Sequence, residues 1–237
     1  MNTKPASGTL VAEPRPALRA AALPDFPSYT AAENLADRIV HLVGFASASV
    51  AVAWPWGRIG PAATSKQIGA MLAYSLGLVG MISASGLYNF ARPGSLKAVL
   101  RSVDHSMIFV MIAGTYTPFT LVALPSALSI PLCAVVWALA VLGTSLKIMF
   151  PGRYEMLLLT LYLGMGWLGL GVVPSLWSVL PASILLLLLI GGVIYSLGGL
   201  LHICGRVPFH NAIWHAMVVA AAGFHLAAVA QLLPVAE

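Results

Sequence analysis

The sequence predicts an all-α polytopic membrane protein, folded as a bundle of seven transmembrane helices. Of its 237 residues, 59% are hydrophobic and only 8% are Asp, Glu, Lys or Arg, whereas a soluble domain averages about 25% charged residues. Seven apolar segments recur along the chain, each near the roughly 20 residues that a helix needs to cross a bilayer. Helices are favoured over strands because an isolated strand leaves backbone groups unsatisfied in hydrocarbon.

In chain order, the apolar segments lie at residues 36–54, 68–90, 106–124, 129–149, 156–175, 183–203 and 212–233. Proline and glycine mark the breaks between such segments, and here they occur in Trp54-Pro55-Trp56-Gly57, Arg92-Pro93-Gly94, Pro125, Pro151-Gly152, Pro174, Pro181 and Gly205-Arg206-Val207-Pro208. Within the third segment, Pro118 is predicted to kink the helix, and the hydroxyls of Thr115 and Thr117 can satisfy the carbonyl that it frees.

The chain begins with a stretch, residues 1–32, that is rich in Ala and Pro and contains no apolar run. We predict that it forms a disordered cytoplasmic tail, followed by one seven-helix membrane domain at residues 33–237. Because no apolar stretch lies close to Met1, we expect no cleaved signal peptide. The first helix would itself act as the insertion signal.

The distribution of basic residues predicts the orientation in the membrane. With the N-terminus inside, ten of the 12 Lys and Arg residues fall on that side and only Arg58 and Lys66 on the other. Basic loops stay in the cytoplasm, so we predict a cytoplasmic N-terminus, an external C-terminus and a location in the plasma (inner) membrane. The net charge of +5 therefore reflects topology and does not indicate nucleic-acid binding.

This topology brings polar residues together at the cytoplasmic ends of five helices. The strongest signal is Asp104 beside His105 at the start of the third segment, because a charged side chain in a membrane segment is expensive and usually functional. The other members are Glu33, Asp37, His41, Ser85, Asn89, His202, His210, Asn211 and His215. Five of the six histidines thus lie at one face, which favours a site there.

Each of these residues also has an ordinary structural interpretation. Glu33 and Asp37 could cap the first helix, and Asp104 could cap the third. Ser85 and Asn89 are four residues apart, so they share a helix face and could simply hydrogen-bond to a neighbouring helix. His225 lies mid-helix and is predicted to donate a hydrogen bond to another helix.

The motifs together resemble the hemolysin III family, the bacterial branch of the progestin and adipoQ receptors, which also includes the adiponectin receptors. The resemblance covers nearly all of residues 33–237, and it is specific because the motifs occur together and in this order along the chain. Its pieces are Glu33…Asp37…His41-Leu-Val-Gly44, Ser85-Gly-Leu-Tyr88-Asn89, Asp104-His105-Ser106…Ala113-Gly-Thr-Tyr-Thr-Pro-Phe119, Leu161-Tyr-Leu-Gly-Met-Gly-Trp167, Gly191-Gly-Val-Ile-Tyr195…Gly198 and Val207-Pro-Phe-His-Asn-Ala-Ile-Trp-His215…His225.

The resemblance implies a zinc site at the cytoplasmic end of the bundle. The family builds it from a histidine that ends a Ser-x-x-x-His motif on helix 2 and from two histidines spaced His-x-x-x-His on helix 7. Here Asn89 and Asn211 occupy two of these ligand positions, and only His215 remains in register. Amide oxygens are poor zinc ligands, so we expect the zinc site to be weakened, altered or absent.

Other residues are expected around the predicted metal site. His210 is a substitute ligand only if the loop turns its ring inward, because five residues on a regular helix place it about 140° from His215. The resemblance makes Asp104 the candidate catalytic base, and a supporting shell is expected from Ser85, His105, Glu33 and His41.

Three functions stay open at this point. The first is a metal-dependent hydrolase that acts on a lipid amide, with Asp104 as the base. The second is a non-catalytic bundle that binds membrane lipid or a lipid-like small molecule, as a receptor would. The third is pore formation or transport, as the hemolysin name suggests, although the sequence contains no inverted repeat of the kind common in transporters.

Overall fold

A computed structural model describes residues 26–60, 63–205 and 207–232. Its α-helices are α1 (Ala31–Arg58), α2 (Ser65–Phe90), α3 (Ser95–Pro118), α4 (Ser126–Met149), α5 (Glu155–Trp167), α6 (Val173–Trp177), α7 (Ala182–Cys204) and α8 (His210–Leu232). Within these described ranges, seven helical segments are long and apolar enough to cross a membrane, and α5 and α6 form one of them together. The predicted all-α, seven-span fold is confirmed. Residues 1–25 of the predicted tail lie outside the described residues.

Successive spans run in opposite directions. Helices α1, α3, α5 and α8 begin at the end of the bundle where α2, α4 and α7 finish; we call this the proximal end and the other the distal end. Helix α2 packs closely on α3, α7 packs closely on α8, and α1 packs against both α2 and α8. Large apolar side chains such as Leu42, Leu76 and Val141 stay exposed on the outside of the bundle, as lipid contact requires.

The first two helices begin with capping boxes. The Thr30 hydroxyl accepts a hydrogen bond from the Glu33 amide at 3.2 Å, and the Glu33 carboxylate accepts one from the Thr30 amide at 2.9 Å. Thr64 and Gln67 repeat the arrangement at the start of α2. These bonds satisfy amides that the first turn of a helix leaves without partners, and they explain why α1 begins at Ala31 and not near residue 36.

The third helix begins earlier than the hydropathy pattern predicts, and this corrects the position of Asp104. Helix α3 starts at Ser95, whereas the apolar run that defined the segment starts only at residue 106. Asp104 therefore lies in the third turn, where it cannot cap the helix. The extra turns form because Leu96, Val99 and Val103 continue the apolar helical face, although all three are exposed.

The chain changes from α- to π-helix after Pro118, at Phe119–Ala123. A proline removes one backbone donor and disturbs the hydrogen-bond ladder around it. The Thr115 hydroxyl donates to the Met111 carbonyl at 2.9 Å, and the Thr117 hydroxyl donates to the Ala113 carbonyl at 2.8 Å. The carbonyl that Pro118 deprives of its amide donor is that of Gly114, so these two hydroxyls bond to neighbouring carbonyls, whereas the sequence predicted a bond to the freed one.

Helices α2 and α3 pack closely together at Gly114. A Cβ atom at this position would lie 2.8 Å from the Ala73 carbonyl oxygen on α2, and a backbone atom cannot move aside as a side chain can. We expect Gly114→Ala to destabilise the protein by about 1–3 kcal/mol, the usual cost of overpacking. The measurement is the thermal unfolding midpoint of the purified protein in detergent.

Gly164→Ala in α5 is the matched control for this substitution, since nothing lies within 4 Å of the added carbon. It should unfold at or slightly above the wild-type midpoint, because alanine favours helix more than glycine does. Equal midpoints for the Gly114 and Gly164 variants would show that the two helices do not need this close contact.

Candidate functional site

Helix α1 supplies an acid and a histidine to the interior of the proximal end. Asp37 and His41 are four residues apart, so they share one face of the helix, and each is only 6% exposed. The His41 Nδ1 atom lies 2.8 Å from the Asp37 backbone oxygen and 3.5 Å from its carboxylate. A carbonyl oxygen can only accept, so Nδ1 of His41 is the nitrogen that carries the proton.

Helix α8 adds a second histidine to the same carboxylate. The Nδ1 atom of His215 lies 2.6 Å from Asp37 Oδ1, a short bond typical of a charged partner. The two imidazole rings are 4.3 Å apart, centroid to centroid. An ionised carboxylate also only accepts, so His215 likewise carries its proton on Nδ1.

Both histidines therefore direct their Nε2 atoms to the same place, the Ser85 hydroxyl on α2. The Ser85 Oγ atom lies 3.0 Å from Nε2 of His41 and 3.4 Å from Nε2 of His215. Two imidazoles, one carboxylate and one hydroxyl from three helices thus meet at one point, and the Asp104 carboxyl on α3 lines the cavity next to them.

Asn89 and Asn211 complete this group of residues. The Asn89 amide nitrogen donates to the Ser85 backbone oxygen at 2.9 Å and lies 3.5 Å from His41 Nε2. Its Oδ1 atom faces the Asn211 amide nitrogen at 3.5 Å. Since the two amides face each other and zinc prefers nitrogen and sulfur ligands, the set Asn89, Asn211 and His215 does not fit zinc. We call Asp37, His41, Ser85, Asn89, Asp104, Asn211 and His215 the polar cluster.

Four of the polar residues predicted at this end lie outside the polar cluster, and one of them, His202, packs its ring 5.6 Å from that of Trp214. Glu33 accepts a bond from the Phe209 amide at 3.1 Å and so ties α1 to the start of α8. The His210 ring packs at a tilt against Tyr29, with the ring centroids 5.6 Å apart. His105 faces Glu155, 3.8 Å from its carboxylate, and Glu155 in turn holds the buried Lys147 at 2.7 Å.

Deeper in the bundle, His225 makes the interhelical bond that its mid-helix position predicts. Its Nε2 atom lies 3.2 Å from the Leu188 carbonyl oxygen on α7. It marks the inner end of a large cavity.

The polar cluster lies at the wall of a cavity of about 520 Å³. Every member of the cluster except Asp37 lines the cavity, together with the proximal residues Lys97, Arg101 and Glu155. The wall becomes apolar farther in, where it is formed by Ile112, Leu163, Trp167, Tyr195, Val218 and Val219. On α8 the lining residues run from Asn211 to His225, about 21 Å at the helical rise of 1.5 Å per residue.

Asp37 is the member of the cluster whose role sequence reasoning missed, since its place in the first turns of α1 suggested a helix cap. The available signal was the spacing to His41, which equals the spacings of Ser85 to Asn89 and of Asn211 to His215. In each pair both side chains lie on one face of their helix, and the three faces point to the same place.

Comparison with known proteins places these features in a wider context. The family model "Haemolysin-III related" matches residues 29–226. The chain is 34% identical to the "Hemolysin-3 homolog" of Bacillus subtilis (strain 168) over 191 residues, which is 81% of this chain and 90% of that protein. It is 31% identical to "Hemolysin-3" of Bacillus cereus over 187 residues, or 79% of this chain and 85% of that one. The human "Monocyte to macrophage differentiation factor" is 29% identical over 164 residues, 66% of this chain and 67% of its own length.

Proposed function

The chain belongs to the haemolysin-III-related family, and from that premise we propose that it binds a lipid or lipid-like amphiphile in its cavity. The head group would lie against the polar cluster at the proximal end, and the apolar chain would extend towards His225. We further propose that the protein is located in the plasma (inner) membrane, with the proximal end facing the cytoplasm.

The observation that supports this function is the change in polarity along one continuous cavity. The cavity's volume of about 520 Å³ falls within the roughly 300–1,000 Å³ of small-molecule sites, which are mostly apolar with a few convergent polar groups. Asp104, His215 and Ser85 are such groups at one end. Apolar walls over about four helical turns beyond them suit a long hydrocarbon chain.

Hydrolysis of a lipid amide is the second candidate, and the position of Asp104 favours it. Asp104 lines the cavity beside Ser85, where it could accept a proton from a water that attacks the head group. This candidate is metal-dependent, since a metal ion would polarise the amide carbonyl. The asparagines at two family ligand positions are the reason why we place it second.

Pore formation or transport finds less support in the packing of the bundle. The cavity lining on α8 stops at His225, and Leu226, Ala228 and Val229 beyond it are buried in the core with Met71 and Tyr74 of α2. On α8, a packed core therefore follows the cavity towards the distal end.

Lipid binding can be tested by filling the apolar part of the cavity. Gly192 lines it, and an added Cβ would meet only the ring of Trp167, at 3.7 Å. We expect Gly192→Leu to weaken binding of a fluorescent ceramide analogue in detergent micelles at least about fivefold, because overpacking costs about 1–3 kcal/mol. Binding is read from the change in fluorescence on titration with protein.

Gly164→Leu is the matched control, because Gly164 is exposed on the outside of α5 and does not line the cavity. Equal affinities for the two leucine variants would overturn the proposed binding mode. Release of fatty acid from the same amide, abolished by Asp104→Asn, would favour the hydrolase; binding without release would favour the non-catalytic function.

A further inference from the structure

We infer that the lipid-like ligand carries a phosphate group, and that Arg101 and Lys97 on α3 hold this phosphate in the proximal part of the cavity. The inference rests on the proposed function, because it names the head group of the amphiphile that the cavity would bind. It concerns a region that lies outward of the polar cluster, between that cluster and the proximal end of the bundle.

Helix α3 turns one continuous face to the cavity, and the chemistry of that face changes with depth. Its lining residues follow the spacing of three and four that defines one helix face, and they include Lys97, Arg101, Asp104, Ile108, Met111 and Thr115. The two basic residues come first and the acid follows. At 1.5 Å per residue, Arg101 lies about 4.5 Å nearer the proximal end than Asp104. An anionic group can therefore contact the bases without lying at the depth of the acid.

Arg101 has no partner within the described residues. Its guanidinium makes no hydrogen bond there, and the four ion pairs of the described chain all belong to other residues. Asp104 follows three residues later, a spacing at which an ion pair can form on a helix, but these two side chains do not pair. Because a half-buried charge without a counter-ion is costly, an anion bound beside Arg101 would stabilise it.

The other charged groups near Arg101 leave it available to a ligand. Glu155 lines the same part of the cavity, but its two carboxylate oxygens accept from the buried Lys147 at 2.7 and 2.9 Å. Lys97 has an ammonium with three protons, one of which bonds to the Ala91 backbone oxygen at 3.0 Å. A ligand can therefore receive hydrogen bonds from Lys97 and from Arg101 together.

Membrane orientation alone does not explain the position of Arg101. The proximal end also carries Arg38, Arg92 and Arg153, and all three are exposed. Exposed basic residues of this kind are the ones that set the orientation of a membrane protein. Arg101 differs from them because it is half-buried and lines the cavity, which places its charge where a bound ligand would lie.

Two basic residues four positions apart favour a phosphate over a carboxylate. The guanidinium fork binds either group through two parallel hydrogen bonds. A carboxylate offers a single negative charge and two oxygens, and the fork occupies both of them. A phosphate monoester carries close to two negative charges at neutral pH and has three acceptor oxygens, so Lys97 can bind it at the same time as Arg101. The matching ligand is an amphiphile with a phosphate monoester on its head group.

The test compares two probes that differ only in the phosphate: the fluorescent ceramide analogue, and the same analogue with a phosphate on its primary hydroxyl. Each is titrated with purified protein in nonionic detergent. We expect the wild type to bind the phosphorylated probe at least about tenfold more tightly, which corresponds to about 1.4 kcal/mol. Arg101→Gln should abolish this preference. Arg153→Gln is the matched control, because it removes an exposed arginine at the same end, and it should keep the preference.

The outcomes separate this inference from the proposed function. If the wild type binds neither probe, both are overturned. If the wild type binds the two probes equally, or if the Arg101 variants that fold keep the full preference, only the phosphate inference is overturned. Arg101→Lys provides the second variant, since it keeps the charge but loses the fork and should show a reduced preference. Displacement of the phosphorylated probe by an equal concentration of inorganic phosphate would overturn the amphiphile as the ligand, because the anion alone would then suffice.

Discussion

Replacing Asp37 by alanine is expected to lower the free energy of unfolding by about 3 kcal/mol. This is the upper end of the roughly 1–3 kcal/mol cost of leaving a buried hydrogen-bonding group without a partner. The upper end applies because the 2.6 Å bond from His215 Nδ1 is charge-assisted and Asp37 is 6% exposed. The measurement is equilibrium unfolding of the purified protein in mixed micelles with increasing denaturing detergent.

Two further substitutions make this prediction specific. Asp37→Asn keeps an oxygen that can accept from His215 and should lose only about 1 kcal/mol, the value of an ordinary hydrogen bond. Glu33→Gln removes an acid from the same helix but keeps the capping box, which accepts either residue, and should resemble the wild type. If Asp37→Ala were as stable as Glu33→Gln, the bond between Asp37 and His215 would contribute nothing to the stability of the fold.

The double variant Asn89→His with Asn211→His is expected to raise Zn²⁺ affinity at least about tenfold. Residues that only support metal ligands already contribute about 10–100-fold, and two added ligands should contribute no less. The Asn89 side chain already reaches within 3.5 Å of His41 Nε2, and Asn211 lies next to Asn89. Histidines at these positions would add imidazole nitrogens, the ligands that zinc prefers, around His215. Affinity is measured by competition with a zinc-binding dye.

The wild type and the single variants are the controls. They should bind little zinc, because each single variant has only two of the three family histidines. Tight zinc binding by the wild type would show that another group, such as Asp37 and His41 beside His215, completes the ligand set. A folded double variant without zinc would show that the site has diverged beyond these two ligands.

The fold could be predicted from the sequence because membrane insertion depends on local composition. Seven apolar runs and their proline and glycine breaks predicted the seven spans. The start of α3 could not be predicted in the same way, since Lys97 and Arg101 interrupt the apolar pattern there. Both residues line the proximal part of the cavity, which accommodates their polar side chains although they belong to a helix.

The candidate site was only partly predictable for a different reason. The spacing of four residues shows that Ser85 and Asn89 share a face, and likewise Asn211 and His215. No local pattern shows that α1 packs against α8, which is what brings Asp37 within 2.6 Å of His215. The first and the last helix become neighbours only when the whole bundle is assembled.

The bond between Asp37 and His215 joins residues that are 178 positions apart in the chain, which has a consequence for biogenesis. Protein synthesis delivers α1 to the bilayer first and α8 last. Until α8 arrives, the Asp37 carboxylate has only His41 of its own helix beside it, at 3.5 Å, and lacks the shorter bond from His215; an incompletely paired acid at membrane depth is costly. Helix α8 therefore completes the polar interior, and a chain truncated before it would keep an acid without its shortest bond.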